Sequence, residues 1–325
     1  MAVIGYHASH EQFSPGELLQ LLQQAQHAGF TAGMCSDHFH PWSEEQGHSG
    51  FAWTWLGAAM QATDLSLGVV NAPGCRYHPA LIAQAGATLA QMYPGRFWLA
   101  VGSGELLNEG ITGEPWPPKP ERNARLLEAV AIIRALWAGE EVSHNGLIKI
   151  DRARLYTLPP VTPPIYAAAL SPETARWAGA WADGLITVSA PREAQQRIID
   201  AFQEGGGEGK PMVLQVKVSY AVNDEQALRG AHQQWRTNVL PGQLPHTLQT
   251  PYDFAAAGSL VRPEDLFDQV RIGSDLGWHA AQLQADLDQG FDRLYLHNVN
   301  RDQKQFIDAF AKAVLPGLRQ VRQAN

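Results

Sequence analysis

Short apolar runs alternate with longer segments whose apolar residues recur at three- and four-residue spacing along almost the whole chain. The short runs are typical of buried strands, and the longer segments are typical of amphipathic helices, as in the stretch from Leu126 to Leu136. The pattern predicts eight strands, near residues 2–6, 31–35, 66–71, 96–101, 164–169, 184–189, 212–219 and 292–297.

Apolar strands that alternate with helices predict a parallel sheet covered on both faces. Eight such units predict an α/β fold of the (β/α)8 TIM-barrel type, and a doubly wound open sheet is the alternative. Two segments break the alternation. Residues 139–162 predict an inserted hairpin, and residues 223–263 predict an excursion over the C-terminal mouth of the barrel. We therefore expect a single domain over residues 1–325.

Composition narrows the possible partners and location. The net charge of −8 leaves no basic surplus for sequence-independent binding to nucleic acid. Apolar runs are too short to cross a bilayer, the first residues do not resemble a signal peptide, and two cysteines make no disulfide framework. We therefore expect a cytoplasmic protein that binds neither nucleic acid nor membrane, and whose partner is a small molecule.

Polar side chains follow the second and fourth predicted strands at the point where each strand ends. Asp37, His38 and Trp42 come after the second strand, and Ser103 and Glu105 come after the fourth. Residues in these positions of a barrel converge on one mouth, where a carboxyl group and an imidazole supply a proton donor and acceptor. The sequence therefore predicts an active site there.

A metal site is the competing interpretation, with Asp37, His38 and His40 as ligands. It needs further ligands at the ends of the fifth and sixth strands, where residues 167–169 and 188–190 offer none. We therefore predict no metal. The Gly102–Gly104 segment matches neither a nucleophile elbow nor a dinucleotide-binding motif.

Several ordered motifs together resemble a known family. These are Ser36-Asp37-His38-Phe39 with Trp42, Arg76-Tyr77-His78-Pro79, Gly102-Ser103-Gly104-Glu105 with Asn108-Glu109, and Ala182-Asp183-Gly184. They resemble the bacterial-luciferase-like flavin barrels, in the branch that contains the deazaflavin (coenzyme F420)-dependent glucose-6-phosphate dehydrogenases. The opening stretch of residues 5–13 looks like a sister group that uses ordinary FMN.

The resemblance implies roles for particular residues. His38 corresponds to the family's proton acceptor, Trp42 to the wall of the reacting centre, and Glu105 to the proton partner of the reduced ring. The implied cofactor contacts are Asp37, Asn108, a bulge near Val70-Asn71-Ala72 that props the ring, the loop Gly102, Ser103 and Gly104, and Ala168 and Ala169 at the end of the fifth strand.

The expected function is that of a flavin-dependent oxidoreductase, acting on CH–OH donors or as a monooxygenase or reductase. FMN is the expected cofactor, and coenzyme F420 with an alcohol or sugar is the alternative. A non-catalytic flavin-binding barrel is a third interpretation. Pro191 and Asp268 stand where the sugar-phosphate dehydrogenases carry phosphate-binding lysines, so we expect a small uncharged substrate. We also expect a homodimer.

Overall fold

The computed structural model describes residues 2–242 and 244–318. Its strands, in chain order, are β1 (Val3–Ala8), β2 (Ala32–Ser36), β3 (Ser66–Asn71), β4 (Phe97–Val101), β5 (Val142–Asn145), β6 (Lys149–Ala153), β7 (Ile165–Ala168), β8 (Gly184–Val188), β9 (Met212–Ser219), β10 (Arg271–Ile272) and β11 (Arg293–Asn298).

Eight of these strands form one closed parallel barrel. The strands pair in the order β1, β2, β3, β4, β7, β8, β9 and β11. Val3 of β1 lies opposite Arg293 of β11, and this pairing closes the ring. The predicted TIM barrel is therefore confirmed, and the open-sheet alternative is wrong.

The helices cover the outside of the barrel and its mouth. They are α1 (Pro15–His27), α2 (Ala52–Ala62), α3 (Pro79–Met92), α4 (Leu106–Glu109), α5 (Lys119–Trp137), α6 (Pro172–Gly179), α7 (Arg192–Phe202), α8 (Asp224–Trp235), α9 (Pro251–Gly258), α10 (Leu276–Asp288) and α11 (Gln303–Ala313). In the described ranges, no helix is long and apolar enough to span a membrane.

Large side chains fill the barrel interior below the mouth. Trp98, Tyr166 and Tyr295 lie in one buried cluster with aliphatic side chains from neighbouring strands. A Cβ atom on Gly68 would overlap the indole of Trp98, so the glycine in β3 makes room for this ring. Because the lower interior is packed with side chains, a ligand has room only towards the mouth.

Two segments depart from the simple strand–helix alternation. Residues 139–162 contain the antiparallel hairpin of β5 and β6. Residues 223–263 contain α8 and α9, and Phe254 of α9 packs against Trp42 with ring centroids 5.4 Å apart. This second segment therefore covers part of the mouth beside the loop that follows β2. The assignment of residues 1–325 to one domain stays a prediction.

Candidate functional site

The carboxylate of Asp37 is an internal anchor for the loop that leaves β2. Its Oδ2 accepts hydrogen bonds from Trp53 Nε1 and Asn71 Nδ2, both at 2.9 Å. Its Oδ1 accepts one from Tyr77 at 3.3 Å and lies 3.5 Å from Arg76 Nη2. Asp37 is 3% exposed, so its carboxylate is committed to the protein itself. Its contact with a cofactor stays a prediction.

Arg76 extends this anchor to α4. It donates from Nη2 to the Asp37 carbonyl at 2.7 Å, and its backbone N–H donates to Glu109 Oε2 at 2.7 Å. Burial raises the pKa of the Glu109 carboxyl, although the neighbouring Arg76 charge opposes that shift. The loops after β2 and β3 and helix α4 are thereby held as one unit.

Asn108 of α4 braces the same loop through its carbonyl oxygen. Oδ1 accepts from the backbone N–H groups of Phe39 at 2.8 Å and His40 at 3.1 Å. The ring of His40 also bonds to the Leu107 carbonyl at 2.9 Å. These bonds fix the backbone on the C-terminal side of His38, which limits where its ring can lie.

His38 forms a close pair with Glu11, which follows β1. His38 Nδ1 and Glu11 Oε1 are 2.6 Å apart, and Ser9 donates to Glu11 Oε2 at 2.8 Å. When His38 Nδ1–H donates this hydrogen bond to the Glu11 carboxylate, Nε2 is the nitrogen that can accept a proton from a substrate. The side chain of His38 is 21% exposed and that of Glu11 is 5% exposed, so the pair opens to the mouth from the His38 side.

His38 and Glu11 shift each other's pKa values in opposite directions. Burial alone would lower the pKa of His38, but the hydrogen bond and charge of Glu11 outweigh it, and the pKa lies above its ordinary value. Burial would raise the pKa of Glu11, and the same pair holds it well below its usual range. Glu11 is therefore ionised at neutral pH and favours protonation of His38.

Trp42 forms a wall beside this imidazole. Its ring meets that of His38 edge to face, with centroids 5.4 Å apart and an interplanar angle of 87°. Phe254 packs against it at 5.4 Å, and the Trp42 backbone N–H donates to Gln46 Oε1 at 2.8 Å. The indole therefore lies between His38 and helix α9 of the segment 223–263, and packs against both.

The loop after β4 supplies the opposing carboxyl group. Glu105 immediately precedes α4, and its Oε2 is buried without a hydrogen-bond partner among the described residues. Gly104 has φ of +80°, and a Cβ there would lie 2.8 Å from Glu109 Cγ, so the turn requires glycine. Ser103 Oγ accepts from Lys119 Nζ at 2.9 Å.

Two predicted cofactor contacts, Asn71 and Asn108, and the predicted proton partner of the ring, Glu105, form what we call the cradle, and each has a polar atom without a partner in the described part of the chain. These atoms are Glu105 Oε2, Asn71 Oδ1 and Asn108 Nδ2, all buried. Buried polar atoms are rarely left unpaired, and this mixture of donor and acceptors fits a heterocycle that carries carbonyl and N–H groups. The cradle therefore has the chemistry that a flavin or deazaflavin ring requires.

The remaining predicted cofactor contacts lie around the same opening. Gly102 donates its backbone N–H to Asn71 O at 3.0 Å, and a Cβ on it would come within 3.6 Å of Ala168. Val70 and Ala168 are half-buried, whereas Ala169 is buried. The pairing of β3 with β4 is regular through Val70 and Asn71. Irregular backbone therefore begins at Ala72, the last of the three residues near which the bulge was predicted.

Sequence reasoning assigned no role to Glu11. It follows the end of β1 just as Asp37 follows β2, so the rule that selects polar residues after barrel strands also applies to it. Lys217 is a second charged residue that the sequence analysis did not assign to the mouth. It lies inside β9 rather than after it, and no local sequence pattern indicates a functional role for it.

Comparison with known proteins places this geometry in a family. The family described as luciferase-like monooxygenase matches residues 1–293. A coenzyme F420-dependent glucose-6-phosphate dehydrogenase of Beutenbergia cavernae is 37% identical, with 98% of both chains covered. One from Rhodococcus jostii is also 37% identical, with 97% of this chain and 98% of the relative covered.

Solved structures agree with this assignment. An F420-dependent secondary alcohol dehydrogenase in complex with an F420–acetone adduct superposes with a TM-score of 0.91 at 32% identity, covering 98% of this chain and 99% of that one. An FMN-bound oxygenating component of a diketocamphane monooxygenase from Pseudomonas putida shares the fold, with a TM-score of 0.72 at 17% identity and coverage of 99% and 100%. The chain therefore belongs to the luciferase-like family of oxidoreductases, in the branch that resembles the F420-dependent glucose-6-phosphate dehydrogenases.

Proposed function

We propose that this protein uses coenzyme F420 to interconvert a small alcohol and its carbonyl compound. The observation that carries the proposal is the His38–Glu11 pair, which presents an imidazole nitrogen to the mouth beside Trp42. FMN was the first expectation from the sequence. F420 has the stronger support, because the relatives above 30% identity are named for F420 and the FMN-bound neighbour is 17% identical.

The cradle residues that would hold the ring are Asn71, Asn108 and the loop from Gly102 to Glu105. Bound there, the deazaflavin would supply the acceptor for the hydride that leaves the carbinol carbon. His38 Nε2 takes the hydroxyl proton as the carbonyl forms, and the Glu11 carboxylate stabilises the resulting imidazolium. Trp42 limits the access of water to this centre. In carbonyl reduction the same imidazolium returns the proton.

The cofactor is tested by reconstitution. Protein stripped of small molecules is titrated with F420 and, separately, with FMN, and the chromophore bound after expression in a host that makes both is identified by mass spectrometry. We expect one F420 per chain and much weaker binding of FMN. Preferential retention of FMN would return the assignment to the first expectation.

Glu11→Gln is expected to change the pH dependence of alcohol oxidation. Neutral His38 is the active form, so kcat/KM falls as pH drops through the pKa of His38, which Glu11 raises. Without the carboxylate this pKa decreases, and the acidic limb of the profile moves to lower pH. Glu45→Gln, which removes an exposed carboxylate paired with Arg236, is the control. An unmoved limb in Glu11→Gln would contradict the pairing mechanism.

Glucose 6-phosphate is expected to be a poor substrate. A cavity of about 340 Å³ beside α7 and α10 includes Pro191 and Asp268, the positions that lack the phosphate-binding lysines. Both of its arginines are already engaged, since Arg271 forms two hydrogen bonds with Asp286 at 2.6 and 2.8 Å and Arg192 donates to the Ala285 carbonyl at 3.1 Å. Saturation by glucose 6-phosphate at micromolar concentration would show that this interpretation of the cavity is wrong.

The non-catalytic alternative has weaker support, because a storage protein has no need of an imidazole paired with a buried carboxylate in the mouth. The same missing cations argue against a phosphate group in this cavity, and the substrate we propose is a small alcohol without one. Homodimer formation and a cytoplasmic location stay predictions.

A further inference from the structure

Lys217 places a positive charge inside the barrel without an ion-pair partner in the described ranges. It is half-buried in β9, where Val213, Gln215 and Lys217 alternate towards the interior. Burial lowers its pKa to about 8, and Glu105 is the carboxylate whose charge opposes that shift. In the described ranges, no ion pair within 4.0 Å joins Lys217 to Glu105. A cation in this setting needs an acceptor.

Three rings continue from Lys217 across the mouth. The Lys217 ammonium lies 5.7 Å from the centroid of Trp235, the last residue of α8. Trp235 meets His297 edge to face at 4.8 Å, and His297 stacks on His7 at 4.2 Å with an interplanar angle of 14°. The four side chains, from β1, β9, β11 and α8, therefore form one contiguous group.

Only some of the polar atoms in this group form hydrogen bonds with other residues of the described chain. His297 bonds to Gln12 Oε1 at 3.2 Å and to Gln215 Nε2 at 3.3 Å. Both ring nitrogens of His7 and the indole nitrogen of Trp235 lack a hydrogen-bond partner among the described residues. Both residues are buried, with His7 3% and Trp235 5% exposed. Lys217, Trp235 and the protonated nitrogen of His7 are donors. The other His7 nitrogen is an acceptor, because burial lowers the pKa of His7 to about 4 and the ring is neutral, so the unpaired donors of the group outnumber its acceptor.

This donor group comes from other secondary-structure elements than the cofactor cradle, and the charge of Glu105 in the cradle acts on Lys217. The unpaired cradle atoms come from β3, the loop after β4 and α4, whereas the donor group comes from β9, α8 and β1. In the barrel order, three strands separate β9 from β3 on one side, and β7 and β8 separate it from β4 on the other. His7 lies near the end of β1, four residues before Glu11, the partner of His38, so the donor group and the proton-transfer centre share the β1 side of the mouth.

We propose that Lys217, His7 and Trp235 bind a second oxygen function of the substrate, beside the carbinol that His38 deprotonates. The inference rests on the proposed function and narrows its substrate class to compounds with an oxygen-bearing substituent near the reacting carbon. A hydroxyl and a carboxylate share the required acceptor chemistry. The set of donors favours either of them over a plain alkyl group.

The test compares three alcohols of equal carbon number: isopropanol, propylene glycol and lactate. For wild-type protein we expect kcat/KM for propylene glycol or lactate to exceed that for isopropanol by at least about tenfold. Lys217→Met should lower kcat/KM for propylene glycol and lactate by at least about tenfold more than kcat/KM for isopropanol, and the affinity for F420 should change little. Lys149→Met, which alters an exposed lysine of the β5–β6 hairpin, should keep the preference.

The outcomes separate this inference from the proposed function. Turnover of isopropanol without any preference for the other two compounds would overturn the inference and leave the proposed function intact. Loss of F420 affinity in Lys217→Met with an unchanged preference would assign the donors to the cofactor, which also overturns it.

A measurement without cofactor covers the case in which no alcohol reacts. Acylation of Lys217 in the cofactor-free protein, followed by peptide mass spectrometry, should be slowed by propylene glycol or lactate and not by isopropanol. Equal labelling with all three compounds would overturn the proposed site.

Discussion

Replacing His38 by alanine is expected to lower turnover by roughly a hundredfold to ten-thousandfold, the range typical of a lost general acid–base group. The affinity for the cofactor should change little, because the unpaired cradle atoms belong to Asn71, Glu105 and Asn108 rather than to the imidazole. Turnover per bound cofactor, measured with a substrate identified by the alcohol series, checks the expectation.

A purely structural His38 would give a different result. Its ring contacts Glu11 and Trp42, so loss of packing alone would lower the melting temperature and cofactor occupancy together, with turnover per bound cofactor unchanged. Glu105→Gln is the informative companion variant. It should also lower turnover, and it should weaken cofactor binding because the unpaired Glu105 Oε2 belongs to the cradle. Unchanged turnover in His38→Ala would remove the mechanism and leave the fold and family assignment standing.

The sequence predicted the barrel because its signal is local and repeated. Each strand is an apolar run that both faces of a parallel sheet require, and the predicted runs lie within a few residues of the observed strands. The location of the candidate site follows from the same topology, since residues after β2 and β4 must meet at one mouth. No side-chain detail is needed for that step.

Which side chains remain available to a ligand could not be predicted in this way. Asp37 and His38 are neighbours in sequence, yet the Asp37 carboxylate is saturated by Trp53, Asn71 and Tyr77 while His38 opens to the mouth. The partner of His38 is 27 residues away, at the end of another strand. Such pairings depend on the relative positions of strands, and periodicity carries no information about them.

Lys217 illustrates the same limit inside a strand. In the sequence it is one polar residue of an otherwise mostly apolar run, and a lysine in that position is equally compatible with the outer face of a strand. Only the closed barrel turns it inward, beside Trp235. The donor group therefore exists only at the level of tertiary structure.

Asp37→Ala is expected to destabilise the protein by about 3–5 kcal/mol, the usual cost of removing one partner from a buried charged pair. The variant leaves the indole N–H of Trp53 and the amide of Asn71 without their acceptor, and it removes the carboxylate 3.5 Å from the Arg76 guanidinium, which keeps its bond to the backbone carbonyl of residue 37. Because Arg76 also holds Glu109, the disturbance should reach α4 and reduce cofactor binding. The free energy of unfolding in denaturant, with and without F420, measures both effects.

Two further variants make this prediction specific. Asp308→Ala removes an exposed carboxylate that pairs with Lys304 at 2.6 Å, and it should cost at most about 1 kcal/mol. Asp37→Asn keeps one oxygen acceptor and the shape of the side chain, so its loss of stability should lie between those of the two alanine variants. If Asp37→Ala were no more destabilising than Asp308→Ala, the carboxylate would not be the anchor of the loop, and a direct role for Asp37 at the cofactor would become the better explanation of its position.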